Sequence, residues 1–563
     1  MAFQLSPGVQ VTEKDLTSVV PAVGTSIGGT AGVFSWGPAN VPVSISSENE
    51  LVSRFGKPPA TAGSERSWLA AASFLAYTST LKVVRAINAA SKNATSGVDD
   101  AAATGALIKN EDDYETNFSS GGSADGMFAA KWAGVIGNSL KVSFADASDY
   151  ATWAYKDQFD YAPTATKSTT AVGGSVDEMH IIVIDEDGDF TGNAGTVLEK
   201  FAGVSKASDA KDSLGRSNYY KEVLNQRSQY IWWTAHPAAS NNWGEAASGK
   251  TFNSTHTTDE STTSLGAGAD GSISEADKQA AFLLFANDEL VDVNLVFVGD
   301  APAAVGDYVI DNIAEVRKDC MVFVSPAYAS VIDNAGSEAT DIVAEVASYT
   351  RSSYAVFDSG WKYMYNRYTD GYAWVPCNGD VAGLCAQTDD TADPWFSPAG
   401  YNRGAIKNAI KMAYSPNKTD RDALYQAGVN PIVGFPGSGI VLFGDKTLLE
   451  QPSAFDRINV RRLFITLEKA IATAAKFQLF EFNDAFTRAQ FKNLVEPFLR
   501  DVQGRRGVYD FRVVCDDTNN TSTVIDANSF VADIFIQPAK SINFIQLNFV
   551  ATRTGVQFEE VGA

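Results

Sequence analysis

Histidine is almost missing from this chain: 563 residues hold three, His180, His236 and His256. Imidazoles so few and so far apart lack the ligand spacing of a zinc site, and no acid is evidently paired with any of them. Cysteine is nearly as rare. Cys320, Cys377, Cys385 and Cys515 are widely spaced, which suits thiols packed as small hydrophobes in a reducing compartment rather than a disulfide framework. No apolar run reaches membrane-spanning length, and Met1-Ala2-Phe3-Gln4-Leu5-Ser6-Pro7 has no basic stretch before an apolar block. Neither membrane insertion nor a cleaved export signal is expected, so synthesis in the cytoplasm is. Positive charge is also short. The formal net charge is -23, which argues against direct nucleic-acid binding, since phosphate contacts need a surplus of Lys and Arg.

What is present is globular: 45% hydrophobic and 20% charged residues, in a length that predicts three or four domains. The charge is unevenly spread. Residues 457–563 carry 13 basic and 12 acidic side chains, and within 457–512 the ratio is 11 to 6. One segment is thus suited to meet something negative, or presents a solvated basic helix face.

Residues 1–22 read as an extended arm, with Val9, Val11 and Glu13 alternating with Gln10 and Thr12. So little apolar surface cannot fold alone. A first part of a middle domain follows at 23–90, with glycine-rich material from Gly24 to Gly32, a helix over 64–77 and a strand at Leu81–Ala86. Residues 91–280 are rich in Ser, Thr, Gly, Ala and Asp and read as inserted, β-rich outer domains, with strands at Leu140–Phe144 and His180–Asp185. The second part of the middle domain spans 281–420. Helices over Ala276–Asn287, Val305–Lys318 and Ser337–Tyr349 alternate with apolar strands at Val293–Val298 and Met321–Val324, which predicts a parallel α/β sheet. Residues 421–563 form an α+β inner domain. Val460, Leu463, Phe464, Leu467, Ile471 and Ala474 stripe one helix. Phe491, Leu494, Val495, Phe498 and Val502 stripe a second, begun at Asn483-Asp484 or one turn later, kinked at Pro497 and ended by Gly504. Strands follow at Val508–Cys515, Phe530–Gln537 and Asn543–Thr552.

Three motifs approach catalytic or binding patterns and fail on context. Gly24-Thr25-Ser26-Ile27-Gly28 fits a nucleophile elbow, but Gly28-Gly29-Thr30-Ala31-Gly32 cannot start the helix an elbow needs. Gly439 to Thr447 resembles a phosphate loop with one residue inserted before Lys446, yet four successive large apolar residues make a strand. Asp185-Glu186-Asp187-Gly188-Asp189 looks like a calcium loop, but its glycine is misplaced and no Glu closes it, so a turn after a strand is expected. No catalytic residue, cofactor or metal ligand is expected.

Several segments resemble the tail-sheath family of contractile bacteriophages, in the family's order: Ser6-Pro7-Gly8-Val9, Gly37-Pro38-Ala39-Asn40-Val41-Pro42, Phe55-Gly56, Ala130 to Leu140 with its Gly137-Asn138 pair, and Gly195 to Glu199. Further on come Pro394 to Gly400 with Arg403-Gly404, and Leu424 to Ile432. The C-terminal block is the most specific: Asn459-Val460-Arg461-Arg462-Leu463, Phe480-Glu481-Phe482-Asn483-Asp484, Thr487-Arg488-Ala489 and Phe498-Leu499-Arg500. The resemblance implies a structural subunit of the long-chain, large-phage type. Its middle α/β domain would be subtilisin-like without the triad, and its inner domain would join both chain ends against a tail tube. It further implies hexameric rings stacked helically, baseplate and tail-terminator partners, and assembly in the host cytoplasm into a virion tail whose contraction delivers the genome through the host envelope. A tailocin or secretion-type sheath is the nearest alternative. A serine hydrolase and a surface-layer protein are more distant ones.

Two sets of residues are expected to carry that role. Val9 and Val11 of the arm, with Ile545, Leu547 and Phe549 of the last strand, form a sheet exchanged between subunits. Arg488, Lys492 and Arg500 lie beside the apolar stripe of their helix, and Arg505 and Arg506 in the turn after it. Some of these five should face acidic tube residues, because screened charge pairs can break as a sleeve slides.

Overall fold

The glycine-rich stretch after residue 23 contains a strand, Gly28–Gly32, inside the largest sheet. The computed structural model describes residues 24–97, 103–122, 126–237, 241–252, 261–437, 439–543 and 546. From edge to edge that sheet runs Val429–Asn430, Ala355–Asp358, Met321–Val324, Leu295–Phe297, Gly28–Gly32, Leu81–Arg85 and Val43–Ile45. The first six are parallel, and Val43–Ile45 lies antiparallel on Leu81–Arg85. Buried Val, Ile, Leu and Phe fill most of its strands, as a sheet covered on both faces requires. Glycine is needed where helices press closest. A Cβ on Gly28 would stand 2.4 Å from the Phe74 ring.

Phe74 belongs to the helix Ala62–Leu75, whose Trp68 and Leu69 are buried as its spacing predicts. Against it lies the helix Asn378–Thr391, which shows no amphipathic stripe because nearly all of it is buried. Gly379 and Gly383 let the two close up: a Cβ on either would come within 2.4 Å of Ala70 O or the Tyr77 ring. The expected helix over Val305–Lys318 has a π turn at Ile310–Ala314, after Ala303–Val309.

Inside the 91–280 stretch, four antiparallel strands run in the order Thr196–Ser205, Glu178–Asp185, Leu140–Asp146, Thr262–Ser264. Val142, Phe144, Ile181, Val183 and Val204 pack on one face with Trp233 and Trp243. The Gly137-Asn138 pair is a clip. Asn138 Nδ2 donates to Gly268 O at 3.1 Å, and Gly268 N–H donates to Asn138 Oδ1 at 2.7 Å. All four cysteines are buried. Among the described residues, no helix is long and apolar enough to cross a membrane.

The protein divides into two compact units, one holding the described residues up to 394 and 398–461, the other 395–397 and those from 462 on. The architecture is mixed α/β with several sheets. In the second unit the helix Ala485–Gly504 and most of Ile458–Ala475 pack by the expected stripes, burying Leu463, Leu467, Phe491, Val495 and Val502 around Trp395. Asp484 is the N-cap, its carboxylate accepting from Thr487 N–H at 2.8 Å, so the earlier of the two expected starts is used. Gly504 is the last helical residue, but Arg506, at φ 67°, supplies the left-handed turn beyond it. Val508–Val514 and Asp533–Pro538 then form a two-stranded antiparallel sheet. The strand expected over Asn543–Thr552 lies almost wholly outside the described residues.

Candidate functional site

The catalytic look-alikes disperse in three dimensions. The buried His180 ring accepts from Gly203 N–H on Nδ1 at 2.9 Å, so its Nε2 donates to Tyr161 O at 2.8 Å. His236 lies between Tyr220 OH, at 2.6 Å, and Tyr219 OH, at 3.3 Å, and burial pushes its pKa down to about 4. Neither imidazole is bonded to Ser26, whose carbonyl accepts from Thr80 Oγ1 at 2.9 Å. His256 lies outside the described residues. Residues Gly439–Leu442 form a strand paired with Ile432–Phe435, and Lys446 Nζ donates to Tyr425 O at 2.7 Å rather than facing a phosphate cradle. Asp185 is spent on its own turn, accepting from Ser139 Oγ at 2.6 Å and from Thr191 N–H and Oγ1 at 2.8 Å. Burial opposes its charge, but these donors outweigh burial and hold the carboxyl below its ordinary value. Among the described residues no group of three His, Cys, Asp or Glu side chains could hold a metal ion.

The carboxyl ends of the parallel strands, where α/β sheets usually place their chemistry, are filled instead by a buried polar cluster. Ser325 Oγ lies 2.7 Å from Asp358 Oδ2 and accepts from Asn378 N–H at 2.9 Å. Lys362 Nζ pairs with Asp380 Oδ1 at 2.9 Å, and Tyr77 OH donates to the same oxygen at 3.1 Å. Burial raises the Cys377 thiol well above its ordinary range, which disfavours the thiolate. The cluster ties strand ends to the helix Asn378–Thr391.

Burial also pushes the Asp358 carboxyl up to about 8, whereas an unfolded carboxyl ionises near pH ~4. The folded protein therefore keeps a proton that the unfolded chain releases. The stabilisation from the neutral carboxyl is complete below about pH 4 and is lost as pH rises towards 8. Asp358→Asn, which cannot ionise, is expected to remove this fall. Melting temperatures from pH 5 to pH 8 should decline more steeply in the wild type than in the variant, and parallel curves would refute the assignment.

The expected cations of the C-terminal unit separate into two kinds. Arg488 is buried and committed internally, donating to Asp517 Oδ1 at 2.6 Å and to Asn483 Oδ1 at 2.9 Å. Arg500, Arg505 and Arg506 are exposed and Lys492 is half-buried. Lys492 pairs with Glu496, and Arg505 with Asp501, each at 3.6 Å one turn along the helix. The guanidinium of Arg505 also lies 5.1 Å from the centre of the Trp395 ring. Val9, Val11, Ile545, Leu547 and Phe549, the proposed exchange residues, lie outside the described residues. Sequence reasoning missed Asn520, which is buried and donates to Val531 O at 2.7 Å while accepting from Val531 N–H at 2.9 Å. It missed Arg85 and Lys206 too, since burial of a charge leaves no mark on composition or periodicity.

Comparison with known proteins places these features. Residues 278–448 match the model of the phage tail sheath protein central domain, 450–552 that of the phage tail sheath C-terminal domain, and 25–86 that of the tail sheath protein Gp18 domain III N-terminal region. The tail sheath protein of Vibrio phage KVP40 is 33% identical, with 99% of each chain covered. That of Enterobacteria phage T4 is 32% identical, again over 99% of both. The crystal structure of a sheath tail protein from Listeria innocua is 13% identical, shares the fold at a TM-score of 0.55, and covers 93% of this chain and 94% of its own.

Proposed function

This chain belongs to the phage tail sheath protein family, and from that premise we propose how it works as the structural subunit of a contractile tail. The observation that carries the reading is similarity along the whole chain: relatives at 32–33% identity are matched over 99% of both sequences. Copies polymerise helically in six-membered rings around a tail tube, between baseplate and terminator, after assembly in the host cytoplasm. Contraction then drives the tube through the envelope. The subunit is not an enzyme. The seven-stranded sheet is the part to which a subtilisin-like description attaches, and a buried polar cluster occupies the place where chemistry would sit. The driving energy is stored in the lattice as a metastable extended state.

Two contacts make the sleeve slide without falling apart. The chain ends, through Val9, Val11, Ile545, Leu547 and Phe549, add to a neighbour's sheet. In support, the Val508–Val514 and Asp533–Pro538 sheet has only two strands among the described residues, leaving an outer edge on each. The tube contact falls to Lys492, Arg500, Arg505 and Arg506. Arg488 leaves this set because its guanidinium is buried within its own unit.

The test is assembly. Purified chain examined by negative-stain electron microscopy is expected to form ringed tubes. Loss of residues 1–18 should shorten or abolish them. Charge reversal at Lys492 and Arg500 should weaken loading onto tail tubes roughly tenfold at low salt, two reversed contacts costing up to ~1 kcal/mol each. Normal polymers from the truncated chain would reject the strand exchange, and normal loading of the reversed variant would reject the tube contact.

A further inference from the structure

Between its two long helices the C-terminal unit carries apolar side chains that no described residue of the unit covers. Phe477, Leu479, Phe480, Phe482 and Phe486 are 63–105% exposed, all within ten residues of chain. At roughly 200 Å² for a whole phenylalanine, they present about 700 Å² of apolar surface. A monomer rarely exposes a patch that large without a use for it, and it approaches the ~800 Å² that each partner gives to a standard protein interface.

The loop is held in place rather than trailing. Asn483 Nδ2 donates to Ser529 O at 2.7 Å, Arg488 donates to Asn483 Oδ1 at 2.9 Å, and Asp484 caps the next helix. Within it Phe480 adopts φ 71°, a left-handed conformation costly for a bulky side chain. The strain brings no burial to this ring inside its own copy, since Phe480 is fully exposed. An anchored, strained, aromatic loop is preorganised for a partner.

We propose that residues 477–486 dock onto a second copy of this chain, forming an apolar contact between sheath subunits. The inference rests on the polymerising reading above and adds the surface that reading left unassigned. Two arguments select a copy over the tube. The area suits a persistent interface, and persistent interfaces are the more apolar class. A tube contact has to release as the sleeve slides, which a patch of four phenylalanines and a leucine would resist, whereas neighbouring copies remain linked throughout.

The experiment places a photo-reactive benzoylphenylalanine at position 482, in place of Phe482, and irradiates assembled tails, in which copies and tube are both present. Cross-linked products of twice the 60.1 kDa chain mass are expected. Products joining the chain to the tube protein, or none joining two copies, would overturn the proposal. In parallel, Phe480→Ser/Phe482→Ser is expected to raise the critical concentration for tube formation at least tenfold, with the circular dichroism spectrum unchanged. Unchanged polymerisation of that variant would also overturn it. If the wild-type chain alone failed to form tubes, the sheath reading would suffer, while the cross-links in tails would still decide this contact.

Discussion

Replacing Lys206 with methionine is expected to destabilise the protein by about 3–5 kcal/mol, the usual penalty for a buried charge that loses its partner. Lys206 Nζ lies 2.5 Å from Asp146 Oδ2 and donates to Phe252 O at 3.0 Å, and both charged side chains are at most 1% exposed. Asp146 ends the strand Leu140–Asp146, and Lys206 directly follows Thr196–Ser205, the strand on the far side of Glu178–Asp185. The pair therefore fastens two strands that do not touch through their backbones. Burial pulls the lysine pKa down against the attraction of Asp146. Methionine would fill the space of the stem and leave the carboxylate with Ser148, whose N–H and Oγ bond its other oxygen at 2.8 and 2.5 Å. A backbone N–H and a hydroxyl cannot neutralise a charge. Lys206→Met/Asp146→Leu removes both charges and should recover most of the loss, since well-packed apolar replacements of buried pairs are often neutral. Urea titration followed by tryptophan fluorescence reads this locally, because Lys206 Nζ sits 4.9 Å from the Trp243 ring. A single variant that lost under ~1 kcal/mol would mean the aspartate is relieved by water or by its own protonation.

How much of this was legible in advance follows from which forces write themselves into sequence. Amphipathic elements do. The apolar spacing of Val460 to Ala474 and of Phe491 to Val502 gave both long helices to within a few residues, and Met321–Val324 was found at its observed bounds. Elements buried on every side do not. Gly28–Gly32 carries no β-branched run apart from Thr30, yet it lies between Leu295–Phe297 and Leu81–Arg85 because Phe74 and Val293 leave no room for side chains. The helix Asn378–Thr391 was missed for the same reason: buried all round except in its last turn, it has no polar face to set a period. The candidate site divides likewise. That the elbow, phosphate-loop and calcium-loop look-alikes lack their local context was readable from neighbouring residues. The fate of a cation was not. Arg488 and Arg500 sit on one helix, and it is the folded chain that turns the first inward, onto Asn483 and the distant Asp517.

Arg85 should be the other costly position, and its loss is expected to exceed that of any single ordinary hydrogen bond. The guanidinium is fully buried and reaches three carbonyls: Phe34 O from Nε at 2.8 Å, Gly37 O at 2.9 Å and Ala133 O at 2.5 Å from its terminal nitrogens. Two of these acceptors follow the strand Gly28–Gly32, and the third lies beyond Phe128–Ala130, so one side chain joins the large parallel sheet to the segment that enters the four-stranded one. Among the described residues no carboxylate is hydrogen-bonded to it. Burial lowers its pKa to about 10, Asp270 opposing from a distance, so it is still charged at neutral pH and held chiefly by carbonyl dipoles. Arg85→Met keeps the bulk of the stem and orphans all three acceptors. At about 1–3 kcal/mol for each buried group left unpaired, eased where water enters, the loss should be ~3–5 kcal/mol. Arg85→Lys should fall between, because an ammonium keeps the charge but cannot span three acceptors set around a planar fork. Denaturation midpoints should therefore rank wild type above lysine above methionine, with protease cleavage near residues 34–40 rising in the same order. A methionine variant within ~1 kcal/mol of wild type would mean that the carbonyls find other donors and that the two sheets are joined by packing alone.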